Sequence, residues 1–243
     1  MRGRVASVGF MIAVAAAVAA MLAGLGTRWG WWDFRTGFAV LRWAVYGAIA
    51  AAALAVLGLG LALKDSQRGV ILALLGIAIG LVTAYVPWHW RRTAERVPPI
   101  HDITTDLESP PPFEAILPLR AEASNPAVYG GDSIAAQQRE GYPELEPLVL
   151  ETSSAEVFHL ALETARDMGW EVVDSDPNEG RIEATDTTFW FGFKDDIVVR
   201  VAEAAEGGTR VDVRSVSRVG RSDVGTNAAR IGEFLERLAA ARG

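Results

Sequence analysis

The sequence predicts a three-helix membrane anchor followed by an α+β domain, in which a helix, an antiparallel four-strand sheet and a second helix succeed one another. Three observations carry this. Three long uncharged runs lie in the first 90 of 243 residues, nine of the eleven prolines gather between residues 97 and 150, and the remainder shows helical, then alternating, then helical apolar periodicity. Charge divides the chain at the same place. Residues 1–90 hold seven Lys/Arg and two acids, a net of +5, and the rest carries a net of −12. That asymmetry excludes a single soluble globule, a collagen-like chain and a wholly disordered one. It argues against nucleic-acid binding, because an acidic domain repels phosphate. With no Cys, disulfides, thiolate catalysis and Cys-based zinc sites are excluded.

The anchor is assigned to residues 1–96, with spans at about 5–26, 43–63 and 69–90. Each run has about the 20 residues a helix needs to cross the hydrocarbon. Backbone groups find no water there, so helices are expected. Arg2 and Arg4 before the first run resemble a signal peptide, but the run is long and two more follow, so a retained anchor is expected. Trp29, Trp31, Trp32, Trp43, Trp88 and Trp90 fall near the run ends and suit a lipid–water belt. A ligand-binding aromatic patch in a Thr27–Leu41 loop is the alternative. Alanine-rich faces of the first two helices permit close packing, and the absence of a mid-span charge speaks against a transporter.

Orientation rests on Arg2, Arg4, Lys64 and Arg68 against Arg28, Arg35, Arg42, Arg91, Arg92 and Arg96. The bare count favours an external N-terminus. Long domains, however, cross largely regardless of charge, and the first helix often dominates. The expectation is a cytoplasmic N-terminus and an external soluble domain.

Residues 97–150 are too rich in Pro for long helices. Ile100, Ile103, Phe113 and Ile116 make them too apolar for a flexible spacer. An ordered strap packed on the following domain is expected. In residues 151–243, Ser153 with Glu156 forms a capping box that starts a helix ending at Gly169. Strands follow at Trp170–Asp174, Arg181–Thr185 continuing through Phe189, Phe191 and Phe193, Ile197–Ala202 and Arg210–Arg214, with turns at Pro177–Gly180 and Glu206–Thr209. A helix from about Thr226 closes the domain.

Several of these segments together resemble a known family. They are Ile100–Asp106 with Pro110–Phe113, Gly169–Val173, Phe191–Asp196 and Asp212–Asn227, and they resemble the bacterial family called domain of unknown function 1499. The resemblance covers roughly residues 97–240, and the front half is similar to the three-helix anchors of some members. It implies a fold and a bacterial membrane setting, and no reaction.

Chemistry could reside in three places. Arg214, Arg218 and Arg221 offer forked donors, and Ser222, Asp223, Thr226 and Asn227 are helix-capping types, so this strand-to-helix junction could bind an anion. Alternatively, the arginines pair with acids such as Asp195, Asp196 and Asp212. His101 beside Asp102 could act as a base or simply fix the strap. Asp195 and Asp196 could do acid–base work, or pair with Arg. With only His89 and His159 besides His101, no metal site and no cofactor are expected.

The favoured reading is a non-enzymatic protein of the bacterial inner membrane. It partners the lipid bilayer, and its soluble domain, on the periplasmic side, binds an envelope protein or small anionic ligand through Arg214, Arg218, Arg221, Ser222, Asp223 and Asn227. One alternative is a membrane-anchored hydrolase of phosphorylated or glycan substrates using His101, Asp102, Asp195 or Asp196. Another is a structural subunit of a membrane complex.

Overall fold

The computed structural model describes residues 2–63 and 66–241, so Lys64, used in the charge count, lies outside the described residues. The chain divides into two compact units. The first comprises residues 1–92 together with the four-residue segment 189–192; the second comprises 93–188 and 193–243.

Three helices build the first unit: α1 (Arg2–Arg28), α2 (Phe34–Ala62) and α3 (Gln67–Ala94). All three are long and apolar enough to cross a membrane. Their small residues serve the bundle itself. Gly9 of α1 lies against the backbone of Ala55, Gly58 of α2 against Ala6, and Gly80 of α3 against Ala48. A Cβ at any of these positions would collide with the facing helix, so the glycines set the close approach. The helices overrun the apolar runs, and the expected Thr27–Leu41 loop shrinks to residues 29–33. Asp33 is the reason. Its Oδ1 accepts from the amides of Arg35 (2.7 Å) and Thr36 (3.1 Å), starting α2 one residue later.

The second unit is α+β. Its strands are β1 (Asp102–Thr104), β2 (Leu148–Leu150), β3 (Glu171–Asp176), β4 (Arg181–Thr187), β5 (Lys194–Glu203) and β6 (Thr209–Ser217). They form an antiparallel sheet in the order β1-β6-β5-β4-β3, with β2 also paired to β6. Helices α4 (Asp132–Gly141), α5 (Ser154–Asp167) and α6 (Thr226–Ala240) complete it. Sequence reasoning found the four long strands and missed β1, β2 and α4. Strands of three residues are too short to show alternation, and α4 fits between Pro126 and Pro143.

Local chemistry explains the boundaries. Ser153 accepts from the Glu156 amide at 3.4 Å and caps α5. Gly169 (φ +79°) ends it, with Gly169 N–H donating to Arg166 O and Trp170 N–H to Ala165 O, the two bonds of a Schellman motif. β4 stops at Thr187, and Phe189 and Phe191 do not continue it as expected. Thr188 and Phe193 instead close a turn whose Gly192 has φ +68°.

Alternation splits the sheet into two faces. Ile182, Ile197, Val199, Val201, Val211 and Val213 pack with Val157, Phe158 and Ala161 of α5 and with Ile231, Phe234 and Leu238 of α6. Trp170 stacks on Phe234 there, centroids 5.1 Å apart. The opposite face keeps only a small apolar patch, Val198 and Val216 against Phe113 and Ile116 of the strap. Most of the rest of that face is charged, with Arg181 and Glu183 on β4, Asp196 and Arg200 on β5 and Arg210, Asp212 and Arg214 on β6.

Candidate functional site

The charged sheet face lies under residues 102–127. Ion pairs join strap to strand, strand to strand and Arg218, just past β6, to β5. Asp102 and Arg214 are diagonal neighbours across the β1–β6 pairing. Arg214 donates from Nε to Asp102 Oδ1 (2.9 Å) and from Nη2 to Oδ2 (2.8 Å). Its other bonds go to the carbonyls of Pro111 and Ala127. Phe113 and Tyr129 stand against the guanidinium plane, 5.2 and 5.5 Å from their ring centres. Arg214 is 2% exposed and Asp102 3%.

Asp196 is fully buried and collects four donors. Arg218 reaches it through Nε (2.9 Å) and Nη2 (2.8 Å), Arg120 through Nη1 (2.5 Å), and Thr185 through its hydroxyl (2.7 Å). One carboxylate faces two guanidinia, and the carbonyls of Val216, Asn125 and Leu119 accept the remaining donors of both, except Arg120 Nε, which is buried without a partner.

Asp195, one residue earlier, points to the helical face. It pairs with Arg230 of α6 at 2.7 Å, and Arg230 also holds Asp186, Ser215 and Asn227. Asp195 and Asp196 therefore lie on opposite sides of the sheet, within β5 rather than between strands. They do not share a site and cannot act as a carboxylate pair.

His101 contributes its backbone. Its carbonyl accepts from Ser217 N–H and from Asn227 Nδ2, both at 3.0 Å. Asn227 also donates to Ser217 Oγ (3.1 Å), tying the start of α6 to β1 and β6.

The junction from β6 to α6 is a fixed loop. Asn125 of the strap donates to the carbonyls of Ser217 and Gly220. Ser222 Oγ accepts from Val224 N–H at 3.1 Å. Asp223 accepts from Gly225 N–H (3.0 Å) and Asn227 N–H (2.7 Å), so the amide-rich start of α6 already carries an internal carboxylate. Burial pushes the Asp223 carboxyl above its ordinary value, although those two amides pull the other way. Arg221 differs from Arg214 and Arg218 in being exposed to solvent.

Two clusters were not found from sequence. Glu183 is fully buried and accepts from three successive strap amides, Glu114 (2.8 Å), Ala115 (3.1 Å) and Ile116 (2.9 Å), and from Arg181 (2.6 Å). Asp106 and Asp212 jointly hold Arg200 and Arg210. Burial raises the Asp106 carboxyl, but the amides of Ser109 and Glu108, then Arg200, outweigh it and hold the group below its ordinary value. The available signal was charge at alternate positions of β4 and β6, where a solvated face was the simpler inference.

The family model described as "Protein of unknown function (DUF1499)" matches residues 102–238, from the first residue of β1 into α6. The chain belongs to the DUF1499 family. No curated protein matches it. In this DUF1499 domain the matched span holds the whole strap-face network, and the three apolar helices precede it.

Proposed function

We propose that this DUF1499 protein is a non-enzymatic protein of a bacterial inner membrane, with its soluble domain on the periplasmic side, and that this domain binds an envelope protein through the loop around Arg221. The observation carrying the reading is the pairing of Arg214 with Asp102 and of Arg218 with Asp196. A small anion would have to displace a buried carboxylate to reach either guanidinium, which is costly. Arg221 presents its charge to solvent on a loop braced by Asn125, Ser222 and Asp223. Rigid placement of one Arg suits a protein contact, where such residues often dominate binding. Arg2 and Arg4 before the first span support the outward placement of the domain.

The test is a photo-crosslinking residue at position 221 of the full chain in intact cells, with position 178 on the β3–β4 turn as reference. The expected result is one discrete adduct with an exported protein at 221 and none at 178, alongside a C-terminal fusion active only when exported. Adducts identical at both positions overturn the proposed contact. A rise in melting temperature with inorganic phosphate that Arg221→Ala abolishes would replace the protein partner by an anionic ligand. Turnover of phosphoesters or glycosides by the full chain would replace the reading by a hydrolase.

A further inference from the structure

The first unit contains a piece that is not a helix. The sequence Phe189-Trp-Phe-Gly192 belongs to it by its contacts. Trp190 Nε1 donates to the carbonyl of Met21 at 3.1 Å, and Arg28 donates to the carbonyl of Phe189 at 3.1 Å. Phe191 packs on Phe38 of α2, ring centres 4.9 Å apart. The seat is cut by two glycines. A Cβ on Gly24 would overlap the indole of Trp190, and one on Gly37 would collide with Thr27 Oγ1 and the Ala23 carbonyl of α1 and also press on Phe191. Met21 and Gly24 lie inside the apolar run of α1, roughly 10 and 6 Å along the helix from Arg28 at 1.5 Å per residue.

Phe189 is left 83% exposed, although it is among the largest apolar side chains in the chain. Trp29 and Trp31, also exposed, stand at the end of the same helix with ring centres 5.0 Å apart. The polar and apolar zones of a bilayer meet within a layer about 5–8 Å thick on each side, where Trp is enriched. The segment meets α1 at Met21, Gly24 and Arg28, beside these Trp residues and at the end of the apolar run.

We propose that residues 189–191 form an aromatic finger inserted into the lipid interface, a membrane contact separate from the three spans, with Phe189 facing lipid. The chemistry of the partner is that of the headgroup–acyl boundary: apolar enough for Phe189 and tolerant of the carbonyl and amide dipoles of the turn.

The absence of Cys makes the test direct. Phe189→Cys is made in the full chain, spin-labelled, and reconstituted in nanodiscs of phosphatidylethanolamine and phosphatidylglycerol. Collision with oxygen relative to a water-soluble nickel chelate reports depth. The ratio at 189 is expected to be several-fold above that of a label at Asn178→Cys and to approach that of Leu57→Cys, an exposed position of α2. A ratio equal to that at 178 overturns the proposal. Gly24→Leu in the Phe189→Cys background is expected to drop the ratio at 189 to the aqueous level, while a label at 57 is unchanged. Retention of lipid access at 189 in that variant would remove the glycine seat and with it the finger as described.

Discussion

Asp102 and Arg214 are separated by 112 positions in the chain and joined by two parallel hydrogen bonds of 2.9 and 2.8 Å. Both are almost wholly buried, and among the described residues each makes its ion pair with the other. Removing one leaves a stranded ion, a defect that costs about 3–5 kcal/mol. Arg214→Ala is expected to lower stability by that amount, and Asp102→Asn/Arg214→Met together by less than the sum of the two single changes. Thermal unfolding of the full chain in detergent, followed by circular dichroism, checks both. Additive losses would show that the pair is not coupled.

Glu183 predicts a local effect. Its carboxylate is the acceptor for three consecutive strap amides. Glu183→Ala should free residues 107–130 before the sheet melts. Limited proteolysis should then cut there faster than in the parent, with the β3–β4 turn unaffected.

Acid should act through Asp106. A carboxyl held below its ordinary value of 3.8 contributes stability that is present above that value and lost as pH falls through the folded value. Asp106→Asn should therefore flatten the acid limb of the stability profile and be least stable, relative to the parent, near neutrality.

Asp223 has the opposite sign. Its carboxyl is raised by burial, so the stability it contributes is present below 3.8 and lost as pH rises through the higher folded value. Asn has one acceptor oxygen, so it keeps one of the two amide bonds to Gly225 and Asn227 and loses the other at every pH. That is a fixed cost, on which the pH-dependent difference is superimposed. Asp223→Asn should gain on the parent as pH rises toward 7 and lose that advantage near pH 3. Denaturant midpoints at the two pH values decide it.

Two glycines separate backbone strain from collision. Gly169 and Gly180 both have positive φ, +79° and +65°. A Cβ at 169 meets open space, whereas one at 180 overlaps the Val201 carbonyl, whose own amide bonds back to Gly180. Gly169→Ala should cost about 1–2 kcal/mol from conformation alone. Gly180→Ala should cost clearly more, read by the same melting experiment.

The long elements were legible because their signals are local. The uncharged runs gave α1 to α3, the capping box gave α5, and alternation gave β3 to β6. The strap face was not legible, because its partners come from distant segments. Nothing near Arg214 names Asp102, and nothing near Glu183 names the amides of 114–116. Pairing of the arginines with acids was a stated alternative, and Arg218 does take Asp196. Arg214 takes a strap residue instead. Adjacent Asp195 and Asp196 read as a pair only until the strand geometry sends them to opposite faces.

The pairing of β1 with β6 also sets an order of events during synthesis. Asp102 leaves the ribosome long before Arg214. At about 5–20 residues per second the wait is roughly 6–22 s. Until β6 follows, β1 has no strand to pair with and Asp102 has no Arg214 to hold, so that carboxylate stays open to solvent. A truncated product ending before β6 would carry a complete set of membrane helices and an unfinished domain, a natural substrate for quality-control proteases at the membrane.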